Sequence, residues 1–80
     1  MYLDILTPDQ TVFSGEITSV QVPGTAGRFE VLINHAPIIS TLEKGDVVIR
    51  IAKEEKIFVI DGGVVEVLHD KVIVLAEAIL

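Results

Sequence analysis

Two histidines, three serines, twelve carboxylates and no cysteine are the main groups with which this 80-residue chain could break bonds or hold a metal. A serine nucleophile of the GxSxG type needs glycines around it for a sharp turn, and none of Ser14, Ser19 and Ser40 has them. His35 and His69 are too far apart for an i, i+4 metal pair. With no thiolate, a zinc site would have to recruit carboxylates from unrelated parts of the chain. Isolated histidines ordinarily satisfy local hydrogen bonds, so one is read as a turn residue and the other as sitting near a hairpin tip. Gly24-Thr25-Ala26-Gly27-Arg28 has neither the glycine spacing nor the Lys-Ser/Thr pair of a phosphate loop, and reads as a turn. The expectation is no catalytic residue, no cofactor, no metal and no ATP binding.

Modification of a lysine is a separate chemistry. Lys44-Gly45-Asp46-Val47-Val48 and His69-Asp70-Lys71 resemble parts of biotinyl and lipoyl carrier domains, small acidic β-sandwiches that present a modified lysine at a hairpin tip. Lys71 would be that lysine. Its flanks lack both the methionines of a biotinyl site and the acidic pattern of a lipoyl one, so this is the second reading.

Whatever the chain does, its elements must be strands. Valine and isoleucine number 23 against 12 for leucine and alanine, and β-branched side chains suit a pleated surface better than a helix. Strands are expected near Tyr2 to Leu6, Glu16 to Val22, Arg28 to Ile33, Asp46 to Ala52, Lys56 to Asp61, Gly63 to Leu68 and Lys71 to Glu77, with Val12-Phe13 as a short extra one. Turn signals at Thr7-Pro8-Asp9, Ser14-Gly15, Pro23-Gly24, Ala36-Pro37, Lys44-Gly45, Lys53 to Glu55, Gly62-Gly63 and His69-Asp70 recur at the spacing of a sandwich or barrel. The fold class is therefore all-β: one domain, residues 1–80, a small two-sheet sandwich or flattened barrel with no C-terminal helical hairpin.

Alternation assigns Ile17, Val20, Val22, Val47, Ile49, Ile51, Val59, Val67, Val72 and Val74 to the core. Lys56 to Asp61 is apolar on both faces, which asks for a second buried surface. Glu54-Glu55 reads as a solvated hairpin tip. A net charge of −6 and dispersed basic residues argue against a nucleic-acid partner. Apolar runs such as Val72 to Ala76 are strand-sized, well short of the roughly 18 residues of a membrane helix. Half the residues are hydrophobic, an excess for so small a domain that points to coverage by partners.

Read together, Phe13-Ser14-Gly15, Val20-Gln21-Val22-Pro23-Gly24, Gly27 with the residues that follow it, His35-Ala36-Pro37-Ile38-Ile39 and Asp61-Gly62-Gly63-Val64-Val65-Glu66-Val67 stand in the order and spacing of F-type ATP synthase epsilon subunits. The resemblance runs from residue 2 to residue 79. It implies a non-catalytic rotor element on the cytoplasmic side of a bacterial inner membrane, peripheral to it, that joins the gamma subunit to the membrane c-ring and couples ion flow to ATP synthesis.

Carried over residue by residue, the gamma-facing set is His35, Ala36, Pro37, Ile38, Ile39 and Ser40, read as a rigid, partly unpaired loop. The plain alternative there is that Ile38 and Ile39 fill the core, since one of two adjacent strand residues faces inward. The ring-facing set is Thr25, Ala26, Gly27, Arg28, Phe29 and Glu30. The chain departs from the family at Arg28, where acidic residues are usual, so that Arg28 or Glu30 is expected to make the ring contact. Asn34 stands where glycine is usual before the histidine, and asparagine tolerates left-handed geometry. Members of the family generally continue into a two-helix hairpin that binds ATP in some and inhibits hydrolysis in others. This sequence stops at Leu80, which suits a short form that does not act as a brake.

Overall fold

Extended, β-branched segments separated by glycine, proline and Asx turns become nine strands in a computed structural model that describes all 80 residues. They are β1 (Tyr2–Leu6), β2 (Thr11–Glu16), β3 (Ser19–Val22), β4 (Phe29–Leu32), β5 (Ile38–Leu42), β6 (Gly45–Ile51), β7 (Glu54–Ile60), β8 (Gly63–Leu68) and β9 (Lys71–Ala76). There is no helix. Five strands form one sheet in the order β2-β1-β9-β8-β5 and four form the other in the order β4-β3-β6-β7. Neighbours are antiparallel except β1 and β9, which pair in parallel near the two ends of the chain.

The core is the seam between the sheets. Leu3, Ile5, Val65, Val67, Val72 and Val74 from the larger sheet meet Val20, Val22, Val31, Val47, Ile49 and Ile60 from the smaller, all with essentially no exposure. Eight of the ten residues assigned to the core by alternation are buried; Ile51 is half-buried and Val59 points outward. The Val59 error comes from a strand whose two faces are equally apolar. Pairing with β6 decides it. Val47 lies across from Phe58 and Gly45 from Ile60, and residues directly opposite share a face, so Phe58 and Ile60 turn inward. Ile57 is then left 55% exposed on the other side.

Two further corrections concern strands. Residues 11–16 form a full strand rather than a two-residue one, and the segment expected as one strand from Glu16 to Val22 breaks at Ile17-Thr18, where the chain crosses between sheets. Ile38–Leu42, for which no strand is expected, is an edge strand paired with β8 from Ile38↔Val67 to Leu42↔Gly63. Pro37 precedes its first residue, so the missing amide costs the sheet nothing. On the smaller sheet the open edge of β7 is covered by the last residues: Ile60 bridges Ile79, Asp61 N–H donates to Ala78 O, and Leu80 N–H donates to Val59 O. Covering an edge removes a template for pairing with another chain.

Connections collect at two poles. Residues 17–18, 33–37, 52–53 and 69–70 join Met1 at one end of the sandwich; residues 7–10, 23–28, 43–44, 61–62 and 77–80 lie at the other. At the first pole the chain ends are tied in. Met1 carbonyl accepts from Ile17 N–H, and its ammonium lies 3.0 Å from Glu16 Oε2 and 3.5 Å from Asp70 Oδ1. The Glu16 hydrogen bond, helped by the two carboxylate charges and opposed by partial desolvation, raises the pKa of that ammonium. At Gly63, where φ is 153°, a Cβ would run into the Leu75 carbonyl oxygen, so β8 and β9 meet there only because the side chain is absent.

Two hairpins carry backbone strain. Ala52 (φ 54°) in the Ala52-Lys53 turn and His69 (φ 47°) in the His69-Asp70 turn take positive φ at the first turn position, where glycine is favoured. The tip is therefore Ala52-Lys53 and not Glu54-Glu55, which begin β7; Glu55 pairs with Arg50 at 3.2 Å.

Three outcomes follow for folding. Ile49→Ala should cost about 2–5 kcal/mol in urea unfolding, the usual penalty for an aliphatic truncation in a filled core, and a parent-like midpoint would contradict the seam. Ala52→Gly should raise stability by up to about 1 kcal/mol, because relief of left-handed strain outweighs the added chain entropy. A raised amine pKa means the ammonium contributes fully below its ordinary value and loses that contribution as pH climbs through the raised one. Stability should therefore fall above pH about 8, the unperturbed α-amino range, and N-terminal acetylation should flatten that decline.

Candidate docking surfaces

No three histidine, cysteine or carboxylate side chains are grouped to hold a metal ion. What the fold assembles instead is surface. Lys71, the residue of the carrier reading, is the first residue of β9 and not a hairpin tip; its Nζ lies 3.7 Å from Asp4 Oδ2 and 6.0 Å from the centre of the Tyr2 ring. A tethered lysine within a sheet does not suit a swinging carrier arm.

The outer face of the larger sheet is built by the same alternation that fills the core. With Val72 and Val74 inward, Ile73 and Leu75 must point out; with Val65 and Val67 inward, so must Val64 and Leu68. Across β5, Ile39 stands opposite Glu66 and is 70% exposed. Ile39, Val64, Leu68, Ile73, Leu75 and Leu6 thus share one side, with Leu68 and Leu75 about half exposed. A polar chain borders it: Tyr2 Oη donates to Ser14 Oγ and Ser14 Oγ–H to Asp4 Oδ1, both at 2.6 Å. The sequence signal for this face was present in the apolar residues on both sides of Lys71 to Ala76.

The residues of the expected gamma-facing set divide between loop and strand. Asn34 takes φ 66°, and the turn it makes is closed by His35 N–H donating to Leu32 O at 3.2 Å. His35 Nδ1 donates to the Ala36 carbonyl at 2.7 Å. Ala36 and Pro37 are exposed and lead into β5. Ile38 turns toward the interior side at the mouth of the sandwich, opposite Val67, and is 37% exposed; Ile39 turns out; Ser40 turns in and is half-buried. The loop also lines a cleft of about 510 Å³ with Ile33, Asn34, His69 and Asp70, bringing both histidines to one place. Spacing in the sequence gave no sign of that meeting.

The expected ring-facing set lies at the opposite pole, at the far end of β5. Gly27 N–H closes the turn on Gly24 O at 2.9 Å, and Thr25 is tied to Thr41 by backbone and hydroxyl bonds of 3.0 and 2.7 Å. Ala26 is exposed at the tip. Phe29 packs its ring against the core, so it supports the loop and offers little surface. Arg28 and Glu30 border a hollow of about 310 Å³ with Gln21 and Phe29, and Arg28 is in none of the four ion pairs of the chain.

Charge at this pole is not set by Arg28. The connections there and the strand ends beside them bring together Asp9, Glu30, Glu43, Asp46, Asp61 and Glu77 against only Arg28 and Lys44, so four of the six net negative charges lie at one end of the molecule. Sequence reasoning missed this because the six are spread over 69 positions.

Over residues 1–80 the chain matches the family described as ATP synthase, Delta/Epsilon chain, beta-sandwich domain. It is 45% identical over 76 residues to the ATP synthase epsilon chain of Chlorobium limicola, covering 94% of this chain and 86% of that one. To the epsilon chain of Caulobacter vibrioides it is 39% identical over 77 residues, covering 96% and 90%. To that of Dehalococcoides mccartyi it is 41% identical over 76 residues, but spans only 54% of the longer relative. Among solved structures, a chain of the Euglena gracilis mitochondrial ATP synthase (OSCP/F1/c-ring) superposes with a TM-score of 0.91 at 18% identity, over 98% of this chain and 51% of that one. A chain of the Tetrahymena thermophila mitochondrial ATP synthase central stalk and c-ring gives 0.83 at 17%, over 99% and 64%. At these identities the structures establish the shared fold.

The inward and outward assignments in β5 make a stability test. Ile39→Asp should stay within about 0.5 kcal/mol of the parent, as exposed substitutions do. Ile38→Asp should cost about 1–3 kcal/mol, because its carboxylate loses water at the sandwich mouth. Equal losses in urea denaturation would contradict the register.

Proposed function

The chain belongs to the ATP synthase delta/epsilon family, as an epsilon chain and so a non-catalytic subunit, and from that premise we propose that it clamps the gamma subunit to the c-ring so that they turn as one rotor. Coupling ion translocation to ATP synthesis in this way needs no reacting group. It needs two binding surfaces held at a fixed separation by something stiff.

The observation that carries the reading is the pairing of an apolar sheet face with a charged pole on one sandwich. Ile39, Ile73 and Leu75 offer the gamma subunit an apolar surface on the strands β5 and β9. Burying such residues against a partner contributes about 25 cal/mol per Å² of apolar area, less the cost of association. β5 runs from the His35 loop to the Thr25 loop, so load entering at one reaches the other along a hydrogen-bonded strand. At the far pole, six carboxylates favour a basic ring loop, and Arg28 then lies inside a negative field as a local contact with an acceptor on the ring.

Two experiments test this. Purified gamma subunit should retain the chain in a pull-down, and Ile39→Asp with Leu75→Asp should weaken that binding by at least about tenfold, because carboxylates would be buried against an apolar partner. Undiminished binding by the double variant would remove this face from the interface. At the acidic pole, Glu43→Lys with Asp61→Lys should reduce assembly on isolated c-rings, and parent assembly should weaken as salt shortens the Debye length below about 10 Å. Assembly indifferent to both changes would mean that the ring is held by apolar and backbone contacts, or elsewhere.

A further inference from the structure

Three carboxylates stand on the outer face of the larger sheet, and two of them have partners. Glu16 Oε2 lies 3.0 Å from the Met1 ammonium; Asp4 Oδ1 accepts from Ser14 Oγ–H at 2.6 Å, with Lys71 Nζ 3.7 Å from Oδ2. Glu66 is the third, and its side chain is in no ion pair and no hydrogen bond. Register sets what surrounds it. Glu66 stands opposite Ile39 on β5 and Ile73 on β9, and Val64 and Leu68 lie before and after it on the same face of β8. The carboxylate is thus ringed by four apolar side chains. Lys71, the only basic side chain on this face, lies across from Leu68 and is held by Asp4. Glu66 is half-buried, and no buried side-chain oxygen of the chain lacks a partner, so water reaches its carboxylate in the free protein.

Covering the four apolar neighbours also removes that water. A carboxylate stripped of its hydration and left unpaired costs more than the surrounding apolar burial returns. One guanidinium or ammonium supplies both the opposite charge and the hydrogen-bond donors. We propose that Glu66 is the specificity-determining residue of this face: it admits a gamma-subunit surface that sets one arginine or lysine among apolar residues, and it rejects an apolar surface that has none. The inference rests on the function proposed above and deepens it by naming the chemistry the partner carries. A uniformly apolar patch would let two surfaces slide over one another, whereas a single enclosed ion pair is made in only one setting of the two. That fixed setting is what a rotor clamp needs.

The test is the affinity of purified gamma subunit for the full chain, measured by calorimetry for the parent, Glu66→Gln and Glu66→Lys, with urea midpoints verifying that each is folded as the parent is. Glu66→Gln keeps the shape and removes the charge, so it should weaken binding at least about tenfold, because the cation of gamma is then buried without its counterion. Glu66→Lys should weaken it at least about a hundredfold, since two like charges then meet. Binding by Glu66→Gln within about threefold of the parent, or tighter, overturns the proposal, because a neutral donor on gamma or an uncovered Glu66 gives that result. A double-mutant cycle supplies a second reading. Among gamma variants with one surface arginine or lysine changed to methionine, one should bind the parent weakly and lose little more with Glu66→Gln. Additive losses for every gamma variant overturn the proposal as well. So does self-association of the free chain that Glu66→Lys abolishes, which would assign the face to a second copy. Absence of any binding between gamma and the parent would instead overturn the function on which the inference rests.

Discussion

Val72 and Val74 reach the seam of this sandwich only because β9 alternates, and the same alternation obliges Ile73 and Leu75 to face outward. That constraint governs the rest of the molecule. A two-sheet fold of 80 residues must spend one face of nearly every strand on its core, leaving the outer strand faces and the loops at the two poles for recognition. In β1, β8 and β9 the outward face remains partly apolar where a monomer would ordinarily be polar. The apolar content of the sequence is thus divided between a seam that holds the sheets together and a surface that gains from a partner.

Stiffness follows from the pairing pattern. The parallel contact of β1 with β9 ties the ends of the chain at the centre of the larger sheet, and the residues after β9 cross to close the edge of β7. The sheets are also stitched at both poles, by Ile17 to Met1 at one and by Glu43 to Pro23 at the other. An object braced in this way transmits load between its poles with little bending, which is the mechanical requirement of a clamp and asks nothing of acid-base or nucleophilic chemistry.

The poles differ in kind. One carries the histidine cleft, three residues in left-handed conformations and the chain start; the other carries most of the net negative charge. Left-handed Asn34 and His69 cost backbone energy that a glycine would spare, and both line the same cleft.

Much of this was legible in the residues. β-branched content and turn spacing determined an all-β sandwich, period two picked eight of ten core positions, and five short motifs in register pointed to the family. Those signals are local, set by pleat geometry and turn chemistry within a few residues. What stayed hidden depended on pairing between distant segments. β7 is apolar on both faces, and only its register with β6 sends Phe58 and Ile60 inward. Ile38–Leu42 sits after a proline and is not expected as a strand, and only β8 makes it one. The acidic pole joins carboxylates from Asp9 to Glu77, and the cleft joins His35 to His69. No spacing along the chain encodes such neighbours, because which turns share an end of a sandwich is decided by strand order and direction, and these exist only once the sheets have formed.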